Sequence, residues 1–205
     1  ITWTFVSSSY FGVRKSKPGF IFDVGGSSIF PSEVDFNFIL GFLCSSLAPT
    51  FLNIINPTLN FQVENIAILP IVEINEKEEL NHLIDQIVDI SIKDWDSFEI
   101  SWNFRANILL EQEEFPIKVT LDQHFINSIN YWKKIVNKMN DLENKTNKIF
   151  IKAYGLQNEI NFEIPREKIT LTINPYYRYG GKYKQKELDA RLLEDTMKEF
   201  ISYSV

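Results

Sequence analysis

An α+β fold is predicted by three observations. Short aromatic and β-branched runs occupy the first third, apolar residues recur at three-and-four spacing from residue 75 onward, and Gly, Pro and Ser punctuate the first pattern. The expectation is a small mixed sheet with a buried helix at the N-terminal end, then a mainly helical region with long antiparallel helices. The 205 residues, 44% hydrophobic and 14% aromatic, suffice for one sizeable core or two small ones. They exclude a disordered tail, a collagen-like repeat and a disulfide scaffold.

The elements follow in order. Ile1–Val6 and Gly19–Val24 read as short strands, separated by a turn over Tyr10–Pro18 that holds the only basic cluster of this third. Ser32 precedes Glu33 and Asp35, which predicts a capped, buried helix from Val34 to about Leu47, with Pro49 opposing its continuation. Asn56–Asn60 is a turn, and Phe61–Ile68 is expected to be extended or a short strand. Asn75 with Glu78 suits a capping box before the stripe Leu80, Leu83, Ile84, Ile87 and Val88. Ser91 with Asp94 is expected to cap a second helix bearing Trp95 and Phe98. Glu111–Pro116 reads as an acidic loop.

The longest stripe runs Leu121, Phe125, Ile129, Trp132, Val136, Met139 and Leu142, and Gly155 supplies a stop. Unbroken to Tyr154, this helix is on the order of 50 Å long at ~1.5 Å per residue. Its expected partners are the helices at 76–98 and 186–203. A short strand is expected at Ile169–Ile173, then an aromatic, basic run from Asn174 to Lys184, then a closing helix marked by Leu188, Leu192, Leu193, Phe200 and Ile201.

The net charge of −6 argues at first against a polyanionic partner. Its distribution is uneven. Residues 1–72 carry 3 basic and 4 acidic side chains, residues 73–130 carry 4 and 13, and residues 131–205 carry 14 and 10. The middle third therefore holds the negative charge.

The single cysteine, Cys44, suits a reducing cytoplasm and is expected to be a small buried hydrophobe. His82 and His124 are the only histidines and have no cysteine or carboxylate-rich motif around them, so no metal site is expected. No stretch reaches the ~18 uncharged apolar residues that a membrane helix needs. A nucleophile elbow, a P-loop and a complete dinucleotide fingerprint are all missing. Asp23-Val24-Gly25-Gly26-Ser27 lacks the second spaced glycine of a cofactor loop and reads as a strand-ending turn. The chain opens at Ile1 and closes at Val205 inside an apolar helical pattern, and it is expected to be a piece of a larger protein.

Several phrases carry a resemblance. They are Phe11-Gly12-Val13-Arg14, Gly25-Gly26-Ser27-Ser28, Asn56-Pro57-Thr58-Leu59-Asn60-Phe61-Gln62-Val63 and Ile68-Leu69-Pro70-Ile71. The more distinctive ones are Asp94-Trp95-Asp96-Ser97-Phe98-Glu99-Ile100-Ser101-Trp102 and Ile149-Phe150-Ile151-Lys152-Ala153-Tyr154-Gly155-Leu156-Gln157. In this order they resemble the C-terminal half of the PglX-type adenine-specific DNA methyltransferases of BREX phage-defence systems. Those are related to the type II methylation subunits of restriction-modification systems.

The resemblance implies a parent enzyme that methylates adenine N6 with S-adenosylmethionine, using an upstream domain that holds the cofactor loop and an Asn-Pro-Pro-Tyr motif. Asn174-Pro175-Tyr176-Tyr177 is similar to that motif but lacks its second proline, and reads as a turn. No catalytic or cofactor-binding residue is assigned in this chain. Residues 1–72 are implied to be part of a target-recognition-like α/β domain, 73–155 a helical spacer or scaffold, and 156–205 a short strand, basic aromatic loop and C-terminal helix.

The candidate DNA-binding residues are Tyr10, Arg14, Lys15 and Lys17 in the first turn and Tyr177, Arg178 and Lys182 in the second. Double-stranded DNA is the implied partner, with other defence-system proteins as further partners and a cytoplasmic location. The competing expectation is a protein-interaction module, docking such proteins through the acidic helices and the Phe125–Leu142 stripe.

Overall fold

The computed structural model describes residues 1–110, 120–180 and 183–205. The expected acidic loop at Glu111–Pro116 and the candidate Lys182 lie outside the described residues. Two compact units are present: Ile1–Val88 with Leu142–Glu163, and Asp89–Asp141 with Ile164–Val205.

In the first unit Thr2–Trp3 (β1) pairs antiparallel with Val13–Arg14 (β2), Thr2 opposite Arg14 and Trp3 opposite Val13. The expected mixed sheet is thus this antiparallel pair, extended by single bridges from Thr2 to Ser28 and from Val6 to Asn60. Gly19–Val24 forms no strand. The other edge of β1 is taken by 27–29, where the Trp3 amide donates to the Ser27 carbonyl and the Ile29 amide to the Ile1 carbonyl. Residues 20–24 find no ladder and remain exposed.

The apolar run after Ser32 forms two helices rather than one, Phe36–Cys44 (α1) and Leu47–Ile55 (α2), bent by 69°. Ser45 and Ser46 make the break: Ser45 Oγ donates to the Phe42 carbonyl at 2.7 Å, and the Ser46 amide donates to Asn147 Oδ1 at 3.0 Å. Pro49 falls in the first turn of α2, where its missing N–H costs nothing. Leu40, Phe42, Leu43, Leu47 and Leu52 are buried, so this apolar pair is core. No single described helix is long and apolar enough to cross a membrane. Cys44 departs from expectation and is exposed, with its thiol turned to the Val13 carbonyl.

Phe61–Ile68 also departs from expectation, since Val63–Ala67 is a short helix (α3). Phe61, Ile66 and Leu69 are buried, a spacing no strand would produce. The Trp3 indole donates to the Phe61 carbonyl at 2.9 Å, tying the hairpin to this segment.

Lys77–Asp96 (α4) is one helix of 20 residues, where two were expected. Leu121–Ala153 (α5) has 33 residues and follows its predicted stripe except at its start, where Leu121 is exposed, and at Ile129, which is partly buried. Phe125, Trp132, Val136, Met139 and Leu142 are buried within the chain, which removes that stripe as an external docking surface. Gly155 stops α5 at φ +70°, as the Leu156 amide donates back to the Ile151 carbonyl. In the first unit α5 packs on α1. A Cβ on Gly41 would meet Ile84 at 2.8 Å and Phe150 at 3.3 Å, so a larger residue there would force both side chains to shift where α1 approaches the two long helices.

In the second unit Ile169, Leu171 and Ile173 alternate inward as a strand would, yet none forms. The Ile169 and Leu171 amides turn back to the Arg166 and Ile169 carbonyls, and the next two have a side-chain acceptor. Asp94 Oδ2 receives the Thr172 amide at 2.7 Å and Asp94 Oδ1 the Ile173 amide at 3.1 Å. Pro175–Tyr179 (α6) and Gln185–Ser204 (α7) follow. Leu188, Leu192 and Thr196 are the buried face of α7, while Leu193 and Ile201 are exposed.

Candidate nucleic-acid interface

The first candidate cluster is built on β2. Phe11 faces the core against Phe61 at 4.8 Å between ring centroids, and Val13 packs on the same core. Strand alternation then turns Arg14 outward. Tyr10 is set by Ser7, whose Oγ accepts the Tyr10 amide at 3.2 Å. Gly12 leaves room for the Tyr10 ring, since a Cβ there would sit 3.3 Å from it.

Arg14, Lys15 and Lys17 are exposed. Lys15 Nζ lies 5.3 Å from the centre of the Phe36 ring, a cation–π contact that leaves its charge on the surface. None of the three forms an ion pair with the described residues. From Ile1 to Phe22 the sequence contains no Asp or Glu at all.

The second cluster differs. Arg178 donates through Nη2 to Glu199 Oε1 at 2.5 Å and lies 3.7 Å from Asp195 Oδ2. Its guanidinium is also 5.6 Å from the Phe98 ring centre and from that of Tyr179. Only 19% of the side chain is exposed. Around it Phe98, Ile108, Trp132, Ile173 and Leu192 close together and leave no cavity for a ligand. Tyr177 is partly buried, and Tyr183 is covered by the Arg191 guanidinium at 4.0 Å.

Neither cofactor-like phrase suits S-adenosylmethionine or an adenine. Asp23 Oδ1 accepts the Gly25 and Gly26 amides at 2.9 and 3.3 Å, capping a 3-10 turn at Val24–Gly26. Asn174 is fully buried. Its side-chain amide donates to the Arg166 and Ile169 carbonyls, both at 2.8 Å, and its Oδ1 caps α6 by accepting the Tyr176 amide at 3.2 Å. Every hydrogen-bonding atom of that side chain is engaged.

In the two more distinctive phrases that carry the family resemblance, Asp94, Asp96 and Tyr154 have structural roles. Asp94 holds Thr172 and Ile173, and burial pushes its carboxyl above the ordinary range despite these bonds. Asp96 Oδ1 accepts Ser101 Oγ at 2.6 Å, closing the turn after α4. The Tyr154 hydroxyl donates to the Pro70 carbonyl at 2.5 Å, and its ring stacks on Phe42 at 5.7 Å. Sequence reasoning missed the roles of Asp94 and Tyr154 because their hydrogen-bond partners lie 78 to 84 residues away. His82 is exposed and His124 partly buried, and no described group of three His, Cys, Asp or Glu side chains is placed to hold a metal ion.

Fold and site together define an α+β segment that carries an exposed basic turn. No protein-family model matches it. Over its whole length the chain is 32% identical to the adenine-specific methyltransferase BrxX of Escherichia coli O9:H4 (strain HS), across 207 residues that make up 16% of that protein. Across 80% of its length it is 34% identical to the adenine-specific methyltransferase PglX of Lacticaseibacillus casei (strain Zhang), covering 14% of it. The chain belongs to the PglX-type family, as the counterpart of one segment spanning about a sixth of those relatives' length.

Proposed function

We propose that the chain is a DNA target-recognition and helical-scaffold segment of an S-adenosylmethionine-dependent adenine-N6 DNA methyltransferase in a phage-defence or restriction-modification system. Methyl transfer is carried by other parts of the parent protein, and this segment alone is inactive. Residues 1–72 carry recognition, 73–155 act as spacer, and 156–205 complete the scaffold. The support is chemical. Arg14, Lys15 and Lys17 stand exposed on an acid-free stretch, and the relatives bear the name of enzymes acting on adenine.

On this reading the three cations displace counterions from the phosphates, and the Tyr10 hydroxyl beside them donates to phosphate or a base edge. Titrating labelled duplex DNA by anisotropy at several salt concentrations tests it. Neutralising Arg14, Lys15 and Lys17 together should weaken binding and flatten the log–log salt slope by roughly 2 to 3. An unchanged affinity and slope would refute the assignment.

A second reading has its own observation. Trp95, Ile100 and Trp102 are exposed near the end of α4, Trp102 at 94%, which favours docking of another defence-system protein there. Co-purification of such a subunit that is lost on Trp102→Ser, with DNA binding absent throughout, would favour this reading over the first.

A further inference from the structure

We propose that Phe20, Ile21 and Phe22 form an apolar wedge that enters the base stack of the duplex held by Arg14, Lys15 and Lys17. The inference rests on the DNA-binding reading above. These three side chains are exposed at 65%, 99% and 55%. Three successive apolar side chains that keep more than half of their surface in water forgo part of the stabilisation that burial would provide, and they mark a surface built to meet something.

What it meets is indicated by charge and by the turn. Lys17 and Phe20 flank Pro18-Gly19, where Gly19 adopts φ +96°, a left-handed value that a side chain rarely tolerates. Pro then Gly at positive φ is the pattern of a tight type II turn. Cations therefore occupy one arm and apolar side chains the other, with no carboxylate between Ile1 and Asp23.

The apolar arm is braced from behind. The Phe22 and Phe30 rings lie 5.1 Å apart, and Asp23 caps the turn that follows. A protein-facing surface core is depleted of lysine, whereas an apolar tip beside phosphate-binding cations is how architectural proteins unstack and kink a duplex. An open duplex step is also what any enzyme acting on a base must obtain, so the wedge suits the reading on which it rests.

The test uses the chain as it stands with duplexes carrying 2-aminopurine, which brightens when unstacked, and end labels that report bending. The comparison is with Phe20→Ser/Ile21→Ser, both changes at exposed positions, with the melting temperature confirming the fold. The parent chain should raise the 2-aminopurine signal on binding. The double variant should lose that rise and bind about 5- to 10-fold more weakly with an unchanged salt slope, since phosphate contacts set the slope.

Binding with no signal rise and no bend in the parent chain overturns the wedge while leaving DNA recognition intact. No binding to any duplex removes both. An unchanged signal in the double variant, combined with loss of a co-purifying protein, overturns the wedge and assigns the triplet to protein docking.

Discussion

Two aromatic, basic runs of similar composition meet opposite fates in this molecule. Tyr10–Phe22 leaves Arg14, Lys15 and Lys17 on the surface, without ion pairs to the described residues. In the run from Tyr176, Arg178 is turned inward onto Glu199 and Asp195, between the Phe98 and Tyr179 rings. A cation already committed to two carboxylates has little charge to offer a phosphate. The availability of a basic residue is therefore decided by what faces it, and α7 supplies acids to the second run alone.

The largest effect that would sharpen this contrast is at Asp94, which orders the segment leading into the second run. Asp94→Ala leaves the Thr172 and Ile173 amides without their acceptor, at an expected cost of about 3 kcal/mol. Denaturant unfolding would measure it. A loss under about 1 kcal/mol would show that the carboxylate is not what holds 172–174.

Arg178→Ala comes next. Removing it strands Glu199 and Asp195 beside apolar neighbours, for an expected loss of about 2 kcal/mol, whereas Arg14→Ala should stay within ~0.5 kcal/mol. Equal melting temperatures for the two variants would show that Arg178 is no more committed to its neighbours than Arg14 is.

A smaller effect is expected of Glu143 on α5. Burial raises its carboxyl from 4.5 to about 7. The folded state then binds this proton more tightly than the unfolded chain does. Its contribution is present at acid pH and is lost as pH rises from 4.5 to about 7. Glu143→Gln should flatten stability across that window and gain about 1–2 kcal/mol at pH 8. A melting profile that keeps the same pH slope in both proteins would count against this.

Much of the scaffold was legible. The α5 stripe, its stop at Gly155 and the closing helix follow from 3.6-residue periodicity and terminal residues, which act locally. Strands were over-predicted, because an alternating pattern does not show whether a neighbouring strand exists. Ile169–Ile173 alternates correctly, but its Thr172 and Ile173 amides bond Asp94, 78 and 79 residues away, and its Ile169 and Leu171 amides bond the nearby Arg166 and Ile169 carbonyls. Phe20–Phe22 has strand-forming residues and no free ladder edge. The division of the apolar run into α1 and α2 depended on Asn147, which accepts the Ser46 amide from 101 residues along the chain.

The candidate surface was only half legible. Sequence pointed to two basic runs as equals, and counted Asp94-Trp95-Asp96 and the Tyr154-Gly155 phrase as family marks without saying why they are there. Tertiary structure gives the reason: Asp94 and Tyr154 tie together segments that are distant in sequence, and Asp96 closes the turn after α4.

By itself, then, the amino-acid sequence determined the helices, the acid-poor N-terminal stretch and the family, since periodicity, charge and identity reside in the order of residues. Only the tertiary structure decided which cations stay open, which apolar residues remain in water and which carboxylates serve as caps. Those outcomes depend on contacts across tens of residues. A buried polar group takes whichever partner the packed chain brings within hydrogen-bond reach.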